Sequence, residues 1–95
     1  MKSILIVYNQ ILSDELLDLL DELGIRGFTR WNDIQGRGSH TGVPQMGTHT
    51  WPGLNGAVLC VVDEEQATTL LEALKDFDAE DRGLRAFAWE LAQVL

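Results

Sequence analysis

Residues 36–42 read Gly-Arg-Gly-Ser-His-Thr-Gly, and this stretch holds most of the residues that could do chemistry. A Gly-x-Gly turn is a phosphate signal when a helix follows it, as a dinucleotide fingerprint requires. No helical pattern follows Gly38, so the turn reads either as structural or as an anion contact. Gly36, Arg37, Gly38 and Ser39 are the candidate ligand-binding residues. His40 and His49, with Met46 between them, offer donors for a soft or borderline metal. Their spacing matches no tight metal motif, although copies in an oligomer could converge. Trp51, followed by Pro52, reads as an exposed anchor for a partner or as the foot on which the segment packs. His40, Met46, His49 and Trp51 are therefore the candidate docking residues.

Catalysis finds little support. Ser39 and His40 are adjacent in sequence, which does not seat the hydroxyl on the imidazole, and no acid is assigned to orient the ring. Cys60 lies inside an apolar run, where a thiol behaves as a small hydrophobe. The expectation is a protein that is not an enzyme.

The elements that must position these residues follow from periodicity. Ile4–Tyr8 is a short, β-branched apolar run and reads as a strand. Ser13, Asp14 and Glu15 supply a capping oxygen and acids at the positive end of a helix. Leu16, Leu17, Leu20 and Leu23 then recur at helical spacing, and Gly24 ends the helix. Residues 27–35 form a second strand with Phe28, Trp31 and Ile34 as its bulk. Residues 36–56 contain six glycines, both prolines and both histidines, which is loop chemistry. Ala57–Val62 is a third strand. Asp63 and Gln66 form a capping box for a second helix, whose inner stripe is Leu70, Leu71, Leu74 and Phe77. Residues 78–83 make a polar turn, and Leu84–Trp89 is the last strand.

This order predicts an α+β fold, a ferredoxin-like βαββαβ sandwich with a long loop between its two middle strands. At 95 residues the expectation is a single domain spanning 1–95. The net charge of −8 disfavours nucleic acid and anionic membrane surfaces. One cysteine excludes an internal disulfide and fits a reducing cytoplasm. Ile4–Val7 is far too short for a signal core or a membrane span, so no direct membrane insertion is expected.

Two helices cover only one face of a four-stranded sheet. The first and third strands are nevertheless apolar on both faces, from Ile4 to Val7 and from Ala57 to Val62. Leaving the second face in water would expose a large apolar patch. The open faces are expected to meet in a homo-oligomer.

The first half of the chain resembles PII-type signalling proteins. Gly24-Ile25-Arg26-Gly27-Phe28-Thr29 is similar to the family's opening of its second strand, and Gly36-Arg37-Gly38 to the Gly-x-Gly turn that starts its long T-loop. The second half resembles the family in element order and in its apolar third strand. The trimers of the divalent-cation-tolerance (CutA-like) proteins share the architecture but lack this glycine-rich loop. The resemblance implies a homotrimer with a regulatory role, ligand clefts between subunits, and a loop that docks on a protein partner such as a membrane transporter.

The chain departs from the family pattern in its basic groups. Ser39 stands where the family has a basic residue after the turn. The counterpart of the phosphate-wrapping B-loop is the short, acidic Asp78–Gly83, and the segment after the last strand, Ala92–Leu95, is not basic. Charge-assisted hydrogen bonds contribute about 1.5–3 kcal/mol each, so losing three weakens binding by roughly 5–9 kcal/mol. Tight ATP or ADP binding is therefore not expected. No tyrosine lies between Gly36 and Gly56, so tyrosine modification has no acceptor there.

The function expected is a non-enzymatic regulator that senses a small molecule or anion, with no cofactor assignable. The alternative is a metal-ion-binding trimer using His40 and His49, linked to cation tolerance or efflux.

Overall fold

The computed structural model describes residues 1–38 and 42–95. Four strands and two helices alternate as β1 (Lys2–Asn9), α1 (Ser13–Glu22), β2 (Thr29–Ile34), β3 (Asn55–Val62), α2 (Glu64–Phe77) and β4 (Leu84–Glu90). The strands form one antiparallel sheet in the order β2-β3-β1-β4. This is the expected ferredoxin-like βαββαβ arrangement, with the long connection between the middle strands.

The period of two in β1 and β3 divides their apolar residues between two faces. Ile4, Ile6 and Tyr8 of β1 are fully buried, as are Val58 and Cys60 of β3, and Val62 nearly so. They pack with Leu16 and Leu20 of α1 and with Ala67, Leu70 and Leu74 of α2. Burying each Leu, Ile or Val side chain of this set stabilises the fold by about 1.5–3 kcal/mol.

The alternate residues line the other face. Register places Leu59 beside Leu5 and Phe87, and Val61 level with Ser3 and Trp89. Trp31 is opposite Ala57 on the same side. Among the described residues no element covers this face: Trp31 is 45% exposed, Val61 41%, Phe87 50% and Trp89 44%. The apolar alternation on both faces is therefore real, and Leu5, Val7, Leu59 and Val61 belong to the uncovered set.

The helix boundaries show why local signals succeed or fail. Asp63 accepts from the Gln66 N–H at 2.7 Å while Gln66 Oε1 accepts from the Asp63 N–H at 3.4 Å, which is the expected capping box. Ser13 does not cap α1. A 3-10 turn, Gln10–Leu12, precedes the helix, and Asn9 Oδ1 accepts from the Ile11 N–H instead. Ser13 is already helical, and its hydroxyl turns inward to donate to the buried Tyr8 hydroxyl at 3.5 Å. Gly24 ends α1 at φ +74°, a left-handed conformation open to glycine without strain. The next residue, Ile25, is buried and donates back to the Leu20 carbonyl.

The strand β2 is shorter than the expected 27–35 and exposed along nearly its whole length. Its register shifts between Trp31 and Ile34, where Asp33 adopts φ +57°. That bulge bends the strand just before the loop.

Candidate functional site

The topology brings four chain segments to one end of the sheet. β1 ends there at Asn9, level with the start of β3 at Asn55 and the end of β2 at Ile34. β4 begins there, with Leu84 level with Tyr8. The Gly-x-Gly turn and the Asp78–Gly83 turn thus lie on either side of the ends of β1 and β3.

Between them is a cleft of about 880 Å³. Gly36, Arg37 and Gly38 form one wall, and Asp81, Arg82 and Arg85 the other. Asn9 and Asn55 contribute amides. Val7 and Phe87 also line it, so the cleft opens onto the uncovered sheet face.

The three arginines are used differently. Arg82 lies 2.8 Å from Glu15 of α1, and its guanidinium stacks on the Phe77 ring at 5.1 Å from the centroid. Its main-chain N–H donates to Asp78 Oδ1, so the acidic turn is folded around itself and pinned to α1. Arg85 projects on the open-face side of β4, opposite Val7, and its Nη1 donates to the carbonyl of Gly38. The guanidinium therefore joins the cleft to the stem of the loop. Arg37 is exposed, with no ion-pair partner among the described residues.

The loop itself carries more backbone structure than its composition indicates. Gly36 and Gln45 pair through two hydrogen bonds, 2.8 and 2.6 Å, which close the first half of the loop. The second half is closed from the Gly47 N–H to the Gly53 carbonyl at 3.0 Å. Inside it, Thr48 and Trp51 exchange two bonds, one through the threonine hydroxyl. A count of glycines and apolar residues suggests a segment that does not pack as a unit. Among the described residues of the loop, backbone pairing, with the Thr48 hydroxyl and the Gln35 amide, supplies this organisation.

The structure separates the candidate residues. Gly36, Arg37 and Gly38 line the cleft. Met46 accepts a hydrogen bond from Gln35 Nε2 through its carbonyl. His49 and Trp51 sit in the second half of the loop, both exposed, Trp51 at 41%. Ser39 and His40 lie outside the described residues, and with them the His40–His49 pairing. Among the described residues no group of three or more His, Cys, Asp or Glu is placed to hold a metal ion. Cys60 is buried between the sheet and the helices, and desolvation pushes its thiol up to about 11. It is neutral near pH 7 and inert as a nucleophile.

Sequence reasoning gave little weight to Arg85, Asn55 and Asp81. The signal for Arg85 was present in the alternation of β4, where Leu84 is buried and the next residue must face the other way. Asn55 and Asp81 carry no local signal, because only the strand order brings them to the turn.

The family model described as nitrogen regulatory protein P-II matches residues 1–95. Curated proteins give no match. Among solved structures, the chain is similar to CPII, a nitrogen regulatory PII-like protein from Thiomonas intermedia K12, bound to ADP, AMP and bicarbonate. The TM-score is 0.78 at 26% identity, covering 95% of this chain and 84% of that one. The apo form of CPII matches at a TM-score of 0.73 and 21% identity, covering 95% and 87%. A PII-like signaling protein from Thermus thermophilus matches at 0.70 and 24%, covering 93% and 83%. The last two bear on the fold alone.

Proposed function

This chain belongs to the nitrogen regulatory protein P-II family, and from that premise we propose that it is a non-enzymatic regulator that binds a small anion in the cleft and signals through its loop. The observation that carries the reading is the hydrogen bond from Arg85 to the Gly38 carbonyl. One guanidinium faces the cleft and holds the loop stem, so an anion that engages Arg85 acts on the loop directly. Ionised partners give stronger hydrogen bonds than a neutral carbonyl. Gly36, Arg37 and Ser39 complete the proposed anion contact. The similar CPII structure holds ADP, AMP and bicarbonate. Bicarbonate suits a cleft in which two of three arginines, Arg37 and Arg85, have no acidic partner among the described residues. Tight binding of ADP is opposed by the acidic turn, where Arg82 is already engaged by Glu15.

The uncovered sheet face supports a homotrimer in which these faces meet. The cleft opens onto that face, so a neighbouring subunit would complete it. His40, Met46, His49 and Trp51 form the proposed docking loop for a protein partner, a membrane transporter being the class in view, and Trp51 its anchor. No helix is long and apolar enough to cross a membrane among the described residues. A cytoplasmic location belongs to the same proposal. No observation among the described residues favours the metal-binding alternative.

Thermal shift of the native assembly with bicarbonate, AMP, ADP and divalent metals tests the ligand. A ligand at a hundredfold excess over its dissociation constant stabilises by about 2.7 kcal/mol. Stabilisation by bicarbonate that is lost in Arg85→Gln is the expected result. A shift with zinc or nickel alone, lost on replacing His40 and His49, would establish the metal reading instead. Replacing residues 40–51 by a short Gly-Ser bridge should leave the assembly size unchanged and abolish partner binding. Unfolding or dissociation of that variant would make the loop a structural strap.

A further inference from the structure

The cleft is not a uniformly basic site. Arg82 is paired with Glu15 at 2.8 Å, which leaves Arg37 and Arg85 as the cleft cations with no acidic partner among the described residues. Asp81 lines the opposite wall and has no ion-pair partner among the described residues. Its backbone is held at φ +54° by the Asp78-centred turn, in which the Asp81 N–H donates to the Asp78 carbonyl at 2.9 Å. The carboxylate is therefore set on a fixed scaffold.

Two amide-bearing residues, Gln45 and Asn55, also line this cleft. Gln45 lines the cleft, but its Oε1, the one buried side-chain polar atom among the described residues that lacks a hydrogen bond, packs against the main chain of Gly53 inside the loop. Asn55 lines the cleft at only 8% exposure, with its Nδ2 against Gly36. A Cβ at position 36 would come within 3.1 Å of that nitrogen, so glycine there leaves the amide its place.

A polyphosphate answers the two arginines but meets Asp81 with like charge. A ligand bearing both signs answers the two arginines and Asp81 together. Resting on the reading that this cleft is the ligand site, we infer that it takes a small amphoteric molecule: an α-amino acid with a second carboxylate, its carboxylates on Arg37 and Arg85 and its ammonium on the side of Asp81. The amide of Asn55 can both donate and accept, which suits such a ligand at either end. An ammonium also brings the donor that the Asp81 carboxylate calls for. Discrimination against a ligand without the ammonium follows from the acceptors it would leave unpaired.

Calorimetry on the native assembly with L-aspartate and succinate isolates the ammonium, because the two share one carbon skeleton. L-aspartate should bind about tenfold tighter than succinate, equivalent to about 1.4 kcal/mol. Asp81→Asn should bring the two within about threefold, since asparagine tolerates the left-handed backbone and removes only the charge. Arg85→Gln should weaken both. Succinate binding as tightly as L-aspartate, or a preference that survives Asp81→Asn, would overturn the inference while leaving a small-anion site in place. Binding of neither compound would overturn it too; if bicarbonate and AMP also failed to bind, the anion-sensing reading would fall with it. Should Asp81→Asn not fold, the wild-type ratio of the two ligands decides the matter.

Discussion

Gln10 and Asp33 hold one another through two hydrogen bonds. Gln10 Nε2 donates to Asp33 Oδ1 at 2.7 Å, and the Asp33 N–H donates to Gln10 Oε1 at 2.5 Å. The main-chain N–H of Gln10 also donates to the Leu54 carbonyl at 3.0 Å. Asp33 precedes the loop and Leu54 ends it, so one residue of the 3-10 turn ties both feet of the loop to the end of β1. The left-handed backbone of Asp33 is supported by this clamp.

Gln10→Ala is predicted to keep the fold but loosen the loop. Two exposed side-chain hydrogen bonds are lost, for a destabilisation of about 1–2 kcal/mol. Hydrogen exchange should accelerate in residues 45–54 and stay unchanged in β1 and β3. Equal acceleration across the sheet would show that Gln10 supports the whole fold rather than the loop.

The two faces of β3 should respond differently to the same charge. Val61→Asp puts a carboxylate on the uncovered face and is predicted to give a folded monomer. Val58→Asp puts it among Ile4, Ile6 and the helices, where an unpaired charge is not tolerated, and should unfold the chain. Light scattering and circular dichroism distinguish these outcomes. A wild-type monomer at micromolar concentration would remove the basis of the trimer.

How much was legible beforehand is clear from particular residues. Leu70 and Leu74 with the Asp63–Gln66 box, and Ile4 to Val7, carry strong local signals, so helices, strands and their order were readable. The face on which Leu59 and Val61 lie was not, because an all-apolar strand has no alternation to read. Ser13 does not act as a cap because the 3-10 turn Gln10–Leu12, itself capped by Asn9, runs straight into α1, whose N-cap Leu12 has no side-chain cap. In the site, Gly36, Arg37 and Gly38 were legible as a motif. Asn55, Asp81 and Arg85 join them only through the strand order, which no local window contains.

Cys60 gives stability a pH dependence in alkali. Its thiol ionises near 9.0 in the unfolded chain and at about 11 in the fold. Between these values the unfolded state loses the proton first, so stability falls as pH rises through that window. The fall should be about 1–3 kcal/mol. Denaturant titrations of wild type and Cys60→Ala at pH 8 and pH 11 isolate it as the difference between the two proteins. A difference independent of pH would contradict the assignment.

The central claim is that the cleft and the loop are coupled through Arg85. Hydrogen exchange of residues 42–54 in the native assembly, with and without saturating bicarbonate, measures that coupling most directly. We predict that the ligand changes protection in this segment in the wild type and leaves it unchanged in Arg85→Gln, whose assembly size and melting temperature should match the wild type. Bicarbonate binding with no change in the wild-type loop, or the same change in Arg85→Gln, would contradict the account.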